Sequence, residues 1–305
     1  MSYNVDNFSQ HIGRENQIIT KTLFIGGDTA RFALFMAGVK GKTTVPHISG
    51  EATLQAGFCK TPSGDTTVEE VTIEVKPFTV FEEFCQDELQ DKFPNMILAA
   101  GSSNADAPDG WEAAIIEIKT KSIQKALEML YWRGDTAGAN YTLYDGYIKL
   151  IDATGEAVDG NSANLTEITI DNVIDAVEGM FDAAPVDVQE DDNFAICVGN
   201  DIFNLYIKAQ KKANQYHYSA EHDNGVYTIG GSGAKLQRVR GLNGTNRMFA
   251  SAGRNFIIGA DVQDEENVMK AWYDETDDKV YIRTKGKSGV TIANPDEIVE
   301  FSLVV

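Results

Sequence analysis

The chain has 305 residues, 43% of them hydrophobic, enough for one large domain or two ordinary ones with a real core, which excludes a disordered protein. Its 46 acidic residues against 26 basic ones give a net charge of -20, a surface that repels phosphate backbones and argues against tight, nonspecific nucleic-acid binding. The longest apolar run, residues 32–39, is far short of the roughly 20 residues of a membrane span, and the N-terminus lacks the basic start and apolar stretch of a signal peptide.

Residues 1–36 mix polar and apolar positions, with a short run of helical character at 30–36 and no obvious core of their own; they read as an arm that packs on something else. The next stretch, FMAGVKGKTTVP, contains Gly41-Lys42-Thr43, the end of a nucleotide-binding phosphate loop. That pattern needs a glycine five residues before Gly41, where Met36 stands. It also needs a helix directly after it, whereas Thr43-Thr44-Val45 run into Pro46, and residues before a proline are pushed to extended geometry. An exposed basic turn entering a strand is the expected structure.

From 43 to 79 the pattern is extended. Val71, Ile73 and Val75 alternate with Thr72, Glu74 and Lys76, the period-two pattern of a half-buried strand. Turn residues at 62–65 separate this strand from the segment around 54–59, so a long hairpin is predicted. After the polar loop GSSNADAPDG a helix is predicted over 111–131, with Asp106 or Asp109 as its candidate cap. Ile116, Ile123, Leu127 and Leu130 share one face of it, while Glu117, Lys121 and Glu128 point away, and Arg133-Gly134 ends it. Beyond lie a strand at 147–151, a helix at 171–181, a buried strand at 194–198, a helix at 201–213 and a strand at 235–239, an alternation that predicts a mixed α/β domain. Strands return at 256–258, 268–273 and 280–285.

No motif carries catalysis or a metal. IGGSGAK, residues 229–235, lacks the GxGxxG spacing, and Ala234 stands where a nucleophile elbow needs its last glycine, so a turn between strands is expected. His11, His47, His217 and His222 have no HExxH spacing and no cysteine partner. DETDDK, residues 274–279, resembles a calcium loop but lacks its central glycine, and Lys285 occupies the position of the bidentate glutamate; a solvated hairpin turn is expected. The cysteines, Cys59, Cys85 and Cys197, have no CxxC spacing, which argues against a secreted disulfide framework and for folding in a cytoplasm. No catalytic residue, cofactor or metal is therefore assigned. A long hairpin and an arm without its own core favour a protein that makes contact with copies of itself.

On the order of its elements and the wording of several segments, the chain resembles the major capsid proteins of tailed double-stranded DNA phages, the Hong Kong 97-type shell fold. The segments are TKTLFIGGDTARFALFMAGVKGKTTVPHI, GFCKTPSGDTTVEEVTIEVK, VFEEFCQDELQDKF, GLNGTN, NFIIGADVQDEENVMKAWYDETDDKVYIRTK and GVTIANPDEIVEF. The resemblance implies an α+β fold with an N-terminal arm at 1–42, an extended β-hairpin loop at 43–80, a peripheral domain with a long spine helix at 81–135 and 254–305, and an axial α/β domain at 136–253. It implies a structural, non-enzymatic protein of the virion, assembled in the host cytoplasm into an icosahedral shell. The shell would enclose DNA without sequence-specific binding and without a membrane.

The partners it implies are other copies of the chain, a scaffolding protein, a portal and a decoration protein. No long helical scaffold segment precedes the arm, which implies a separate scaffolding protein or earlier removal of one. Lys40, Lys42, Leu54, Phe58, Val71, Ile73 and Val75 are the expected assembly contacts, because a two-stranded loop is marginal alone and gains order by packing on a neighbour. A crosslink of the kind some relatives form would join Lys60 to Asn294, but no acidic partner for that chemistry can be named. Two rival readings are an encapsulin-type nanocompartment shell and a soluble α/β enzyme using Lys42.

Overall fold

The computed structural model describes residues 27–52, 64–85, 110–213, 222–223, 225–261, 269–274, 276 and 279–304. Its frame is a long helix, α1 (Gly110–Arg133), laid on a five-stranded sheet. That sheet contains β1 (Leu34–Ala37), β4 (Lys76–Cys85), β11 (Phe256–Asp261), β12 (Met269–Asp274) and β13 (Lys279–Ile292). The 14-residue β13 is its axis: β4 pairs along it from Cys85 to Lys76, and β12 and β11 pair antiparallel with its first and second halves. Alternation holds along β13, with Ile282 and Thr284 buried and Lys285 exposed.

Residues 30–36 are not a helix. A 3-10 turn at Thr29–Arg31 gives way to β1, which pairs in parallel with β11, Leu34 opposite Ile257 and Ala37 opposite Ala260. An eight-residue apolar run is short for a helix and suits a strand added to a sheet edge. The described part of the arm thus packs on the subunit itself: Phe32 meets Phe256 edge to face, with ring centroids 5.6 Å apart.

The second layer is a seven-stranded sheet in the order β5-β14-β10-β6-β9-β8-β7. Its strands are β5 (Val158–Asp159), β6 (Phe194–Val198), β7 (His222–Asp223), β8 (Val226–Thr228), β9 (Lys235–Arg238), β10 (Met248–Ala252) and β14 (Val299–Phe301). Helices α3 (Val173–Ala183), α4 (Val186–Gln189) and α5 (Asn200–Lys212) accompany it, and Val177, Met180, Ile202 and Tyr206 are buried in its core with Ile196, Leu236 and Ala250. Gly231 and Gly233, both at positive φ, form the turn between β8 and β9.

Two expectations are corrected. Residues 147–151 are not a strand but the start of α2 (Tyr147–Thr154), whose Tyr147 and Ile151, four apart, are buried on one face; Gly155 in the left-handed region closes it. Residues 254–305 do not all return to the sheet under α1, because β14 pairs with β10 and β5 in the other sheet. Between the two sheets stands Trp132, fully buried, with Tyr147, Phe249 and Phe256 at centroid distances of 5.2–5.6 Å.

Candidate assembly surface

The predicted hairpin is present. β2 (Lys42–Ala52) and β3 (Gly64–Glu74) pair over their whole length, Lys42 opposite Glu74 and Ala52 opposite Gly64, as a two-stranded sheet of their own. Eleven residues at about 3.4 Å each give the ladder a length of about 37 Å. Gly41-Lys42-Thr43 opens no helix, because Lys42 begins the strand. The geometry of a phosphate loop is therefore absent, and with it the ground for an enzyme reading through Lys42.

What holds the hairpin is its base. The Val75 amide donates to the Gly41 carbonyl at 2.9 Å, and the Val39 amide donates to the Ala260 carbonyl at 3.2 Å. Thr291 Oγ1 donates to the Thr72 carbonyl at 3.3 Å. Ile73 and Val75 point inward with Val39 and Ile257, and Ile73 is fully buried. These side chains rest on two glycines paired across β11 and β13, Gly259 opposite Gly289. A Cβ on Gly259 would stand 2.6 Å from Ile73 Cδ1, and one on Gly289 would stand 2.1 Å from the Glu74 carbonyl oxygen.

Because the second obstacle is backbone, Gly289→Ala can be fitted only by lifting the hairpin base. It is expected to cost about 1–3 kcal/mol in urea unfolding, the usual range for overpacking. An unchanged midpoint would show that the glycine floor is not needed.

The sequence-predicted contact residues thus divide. Val71 and Ile73 share one face of β3 and Val75 follows just past its end, but Ile73 and Val75 are buried by their own subunit and not by a neighbour. That is the correction: their alternation reflects packing on the glycine floor. Val71 is half-buried opposite Val45, and Lys40 and Lys42 lie at the hairpin base, Lys40 exposed and Lys42 exposed. Leu54, Phe58 and Lys60 lie outside the described residues. Asn294 donates to Glu297 at 2.8 Å.

Glu128, assigned by helical period to the outer face of α1, is instead buried. It is 3% exposed and accepts hydrogen bonds from the Thr29 amide (3.0 Å) and the Thr29 hydroxyl (2.6 Å), while Trp132 Nε1 donates to the same hydroxyl at 2.8 Å. Burial is the main cause that pushes its carboxyl up to about 7, against the opposing effect of the Thr29 bonds; Asp28 adds to the rise and Arg240 offsets part of it. Gly27 leaves room for this carboxylate: a Cβ there would lie 2.1 Å from Glu128 Oε1, so the side chain would have to shift. The carboxylate fastens the described end of the arm to α1. The sequence signal is the apolar Leu130-Tyr131-Trp132, which broadens the buried face of the last helical turns beyond a single stripe.

A cleft of about 560 Å³ lies between α1 and β4, lined by Phe78, Val80, Ile123, Leu127 and Leu143 with the Lys119–Glu82 ion pair at its wall. No histidine or cysteine is among its lining residues. Among the described residues no group of three or more His, Cys, Asp or Glu side chains could hold a metal, and no helix is long and apolar enough to cross a membrane.

No protein-family model matches the chain, and no curated protein matches it by sequence. Solved structures do match. The satellite phage P4 procapsid including the size-determination protein Sid superposes with a TM-score of 0.58 at 11% identity, over 94% of this chain and 98% of that one. The capsid of the empty GTA particle gives 0.57 at 12% identity, over 92% and 90%. The capsid of Myoviridae phage XM1 gives 0.54 at 13%, over 92% and 91%. Coverage on this scale extends through both sheets, and the chain accordingly has the α+β fold of the tailed-phage major capsid proteins.

Proposed function

We propose that the chain is a major capsid protein, a structural subunit that assembles with copies of itself into the icosahedral shell of a virion. The observation that carries this is the fold shared with phage capsids and procapsids along nearly the full chain. The hairpin supports it: a two-stranded ladder attached only by its base, among the described residues, adds little to the core of a lone subunit and is well placed to reach a neighbour. In this reading residues 1–42 form the arm, 43–80 the extended loop, 81–135 with most of 254–305 the peripheral domain, and 136–253 with β14 the axial domain. Lys40, Lys42 and Val71 are contacts with other subunits, and Leu54 and Phe58 belong to the same proposal.

The shell encloses DNA without reading its sequence, as an acidic wall to which packaged DNA does not adhere. Scaffolding, portal and decoration proteins are its partners, and assembly takes place in the host cytoplasm. No observation favours the encapsulin or the enzyme reading. The test is expression of the chain with any neighbouring scaffold gene, and then electron microscopy. Closed shells, or rings and sheets of subunits, are expected. A stable monomer under every salt condition overturns the reading.

A further inference from the structure

The face of the five-stranded sheet turned away from α1 carries three aromatic rings packed on one another. Phe81 of β4 is 56% exposed, and its ring stacks on Tyr281 of β13 with centroids 5.4 Å and planes 6° apart. Trp272 of β12 stacks on Tyr281 at 5.7 Å and on Phe81 at 5.9 Å. Arg283 lies over the Trp272 ring at 5.3 Å from its centroid. One strand position further along the same face stands Lys285, exposed.

The cations around this cluster are not equivalent. Lys279 is neutralised by Glu83 at 2.9 Å and Lys287 by Asp261 at 2.6 Å. Arg283 and Lys285 form no ion pair among the described residues. Among the described residues these two cations thus stand as unpaired positive charge beside a partly exposed aromatic cluster, in a chain whose net charge is -20. Tryptophan, tyrosine and arginine are the residue types that dominate binding energy at protein interfaces, the aromatic pair because few rotors need to be frozen to use them.

Charge chooses the occupant. The chain's overall acidity repels the phosphates of a nucleic acid. What it favours is a partner rich in carboxylates, and the most abundant such partner in a shell is the chain itself. We infer that the Phe81–Tyr281–Trp272 cluster, with Arg283 and Lys285, docks an acidic surface of a second copy of this chain. This inference rests on the capsid reading and names a surface that the sequence-predicted contacts do not include.

The test places a photo-crosslinking phenylalanine analogue at position 81 and irradiates shells assembled from equal parts of isotopically light and heavy chains. Crosslinks between light and heavy chains, mapped by mass spectrometry to peptides bearing Asp or Glu, are expected. Crosslinks confined to one chain, to DNA or to another protein, or none in well-formed shells, overturn the inference while leaving the capsid reading intact. Wild-type chains that form no shells overturn that reading, and the inference with it. As a second measurement, Lys285→Glu, at an exposed position, is expected to keep the subunit's unfolding midpoint and raise the concentration needed for assembly by about tenfold. An unaltered assembly threshold would count against the docking surface.

Discussion

Replacing Glu128 by glutamine is expected to stabilise the isolated subunit by about 3 kcal/mol at pH 8 and by about 1 kcal/mol or less at pH 5. The carboxyl holds its proton up to about 7 in the folded chain, against an ordinary value of 4.5. The folded state therefore binds more protons than the unfolded state between these two values. Stability from this group is full below pH 4.5 and is lost as pH rises through 7. The cause is an ionised carboxylate 3% exposed, with two Thr29 hydrogen bonds but no cation in direct contact among the described residues. Glutamine keeps an oxygen for the Thr29 amide and removes the charge. Urea unfolding of both proteins at several pH values measures the difference. Parallel pH profiles would show that Glu128 does not titrate in the folded range.

Aspartate at two neighbouring positions of β3 is expected to separate assembly from folding. Ile73→Asp buries a charge at a fully enclosed site against Val39 and Ile257, and is expected to cost about 4 kcal/mol or more, most of the stability of an ordinary domain. Val71→Asp sits at a half-buried site and is expected to cost about 1 kcal/mol or less in the free subunit while hindering shell formation. Circular dichroism of the purified subunits measures the first effect and electron microscopy the second. A folded Ile73→Asp subunit would mean that the hairpin base is not anchored by this side chain. Normal shells from Val71→Asp would remove Val71 from the assembly surface.

Local patterns carry much of the fold. Period two along β3 and β13 and helical period along α1 are written in consecutive residues, and the structure has these elements where the pattern puts them. Tyr147-Ile148-Lys149-Leu150-Ile151 is ambiguous because two apolar pairs in five residues satisfy either period, and only the packing of Tyr147 and Ile151 selects the helix. The site is less legible for a physical reason: its determinants are pairings between distant residues. Gly259 and Gly289 are ordinary loop-like glycines until register sets them opposite each other under Ile73. Glu128 looks like any helical carboxylate until Thr29, 99 positions away, brings two donors to it. Trp272 and Tyr281 face outward by alternation, but only the β4–β13 register adds Phe81 to their stack.

β14 gives the subunit a built-in order of completion. Residues 299–301 fill the place between β10 and β5, inside the seven-stranded sheet and not at its margin. A ribosome delivers them after every other described strand of both sheets. Until they emerge, β10 keeps an unpaired edge and Val299 and Phe301 are missing from the core they close. Pairings this far apart in the chain also form slowly. The seven-stranded sheet is thus complete only once residues 299–301, its most C-terminal described strand, are in place.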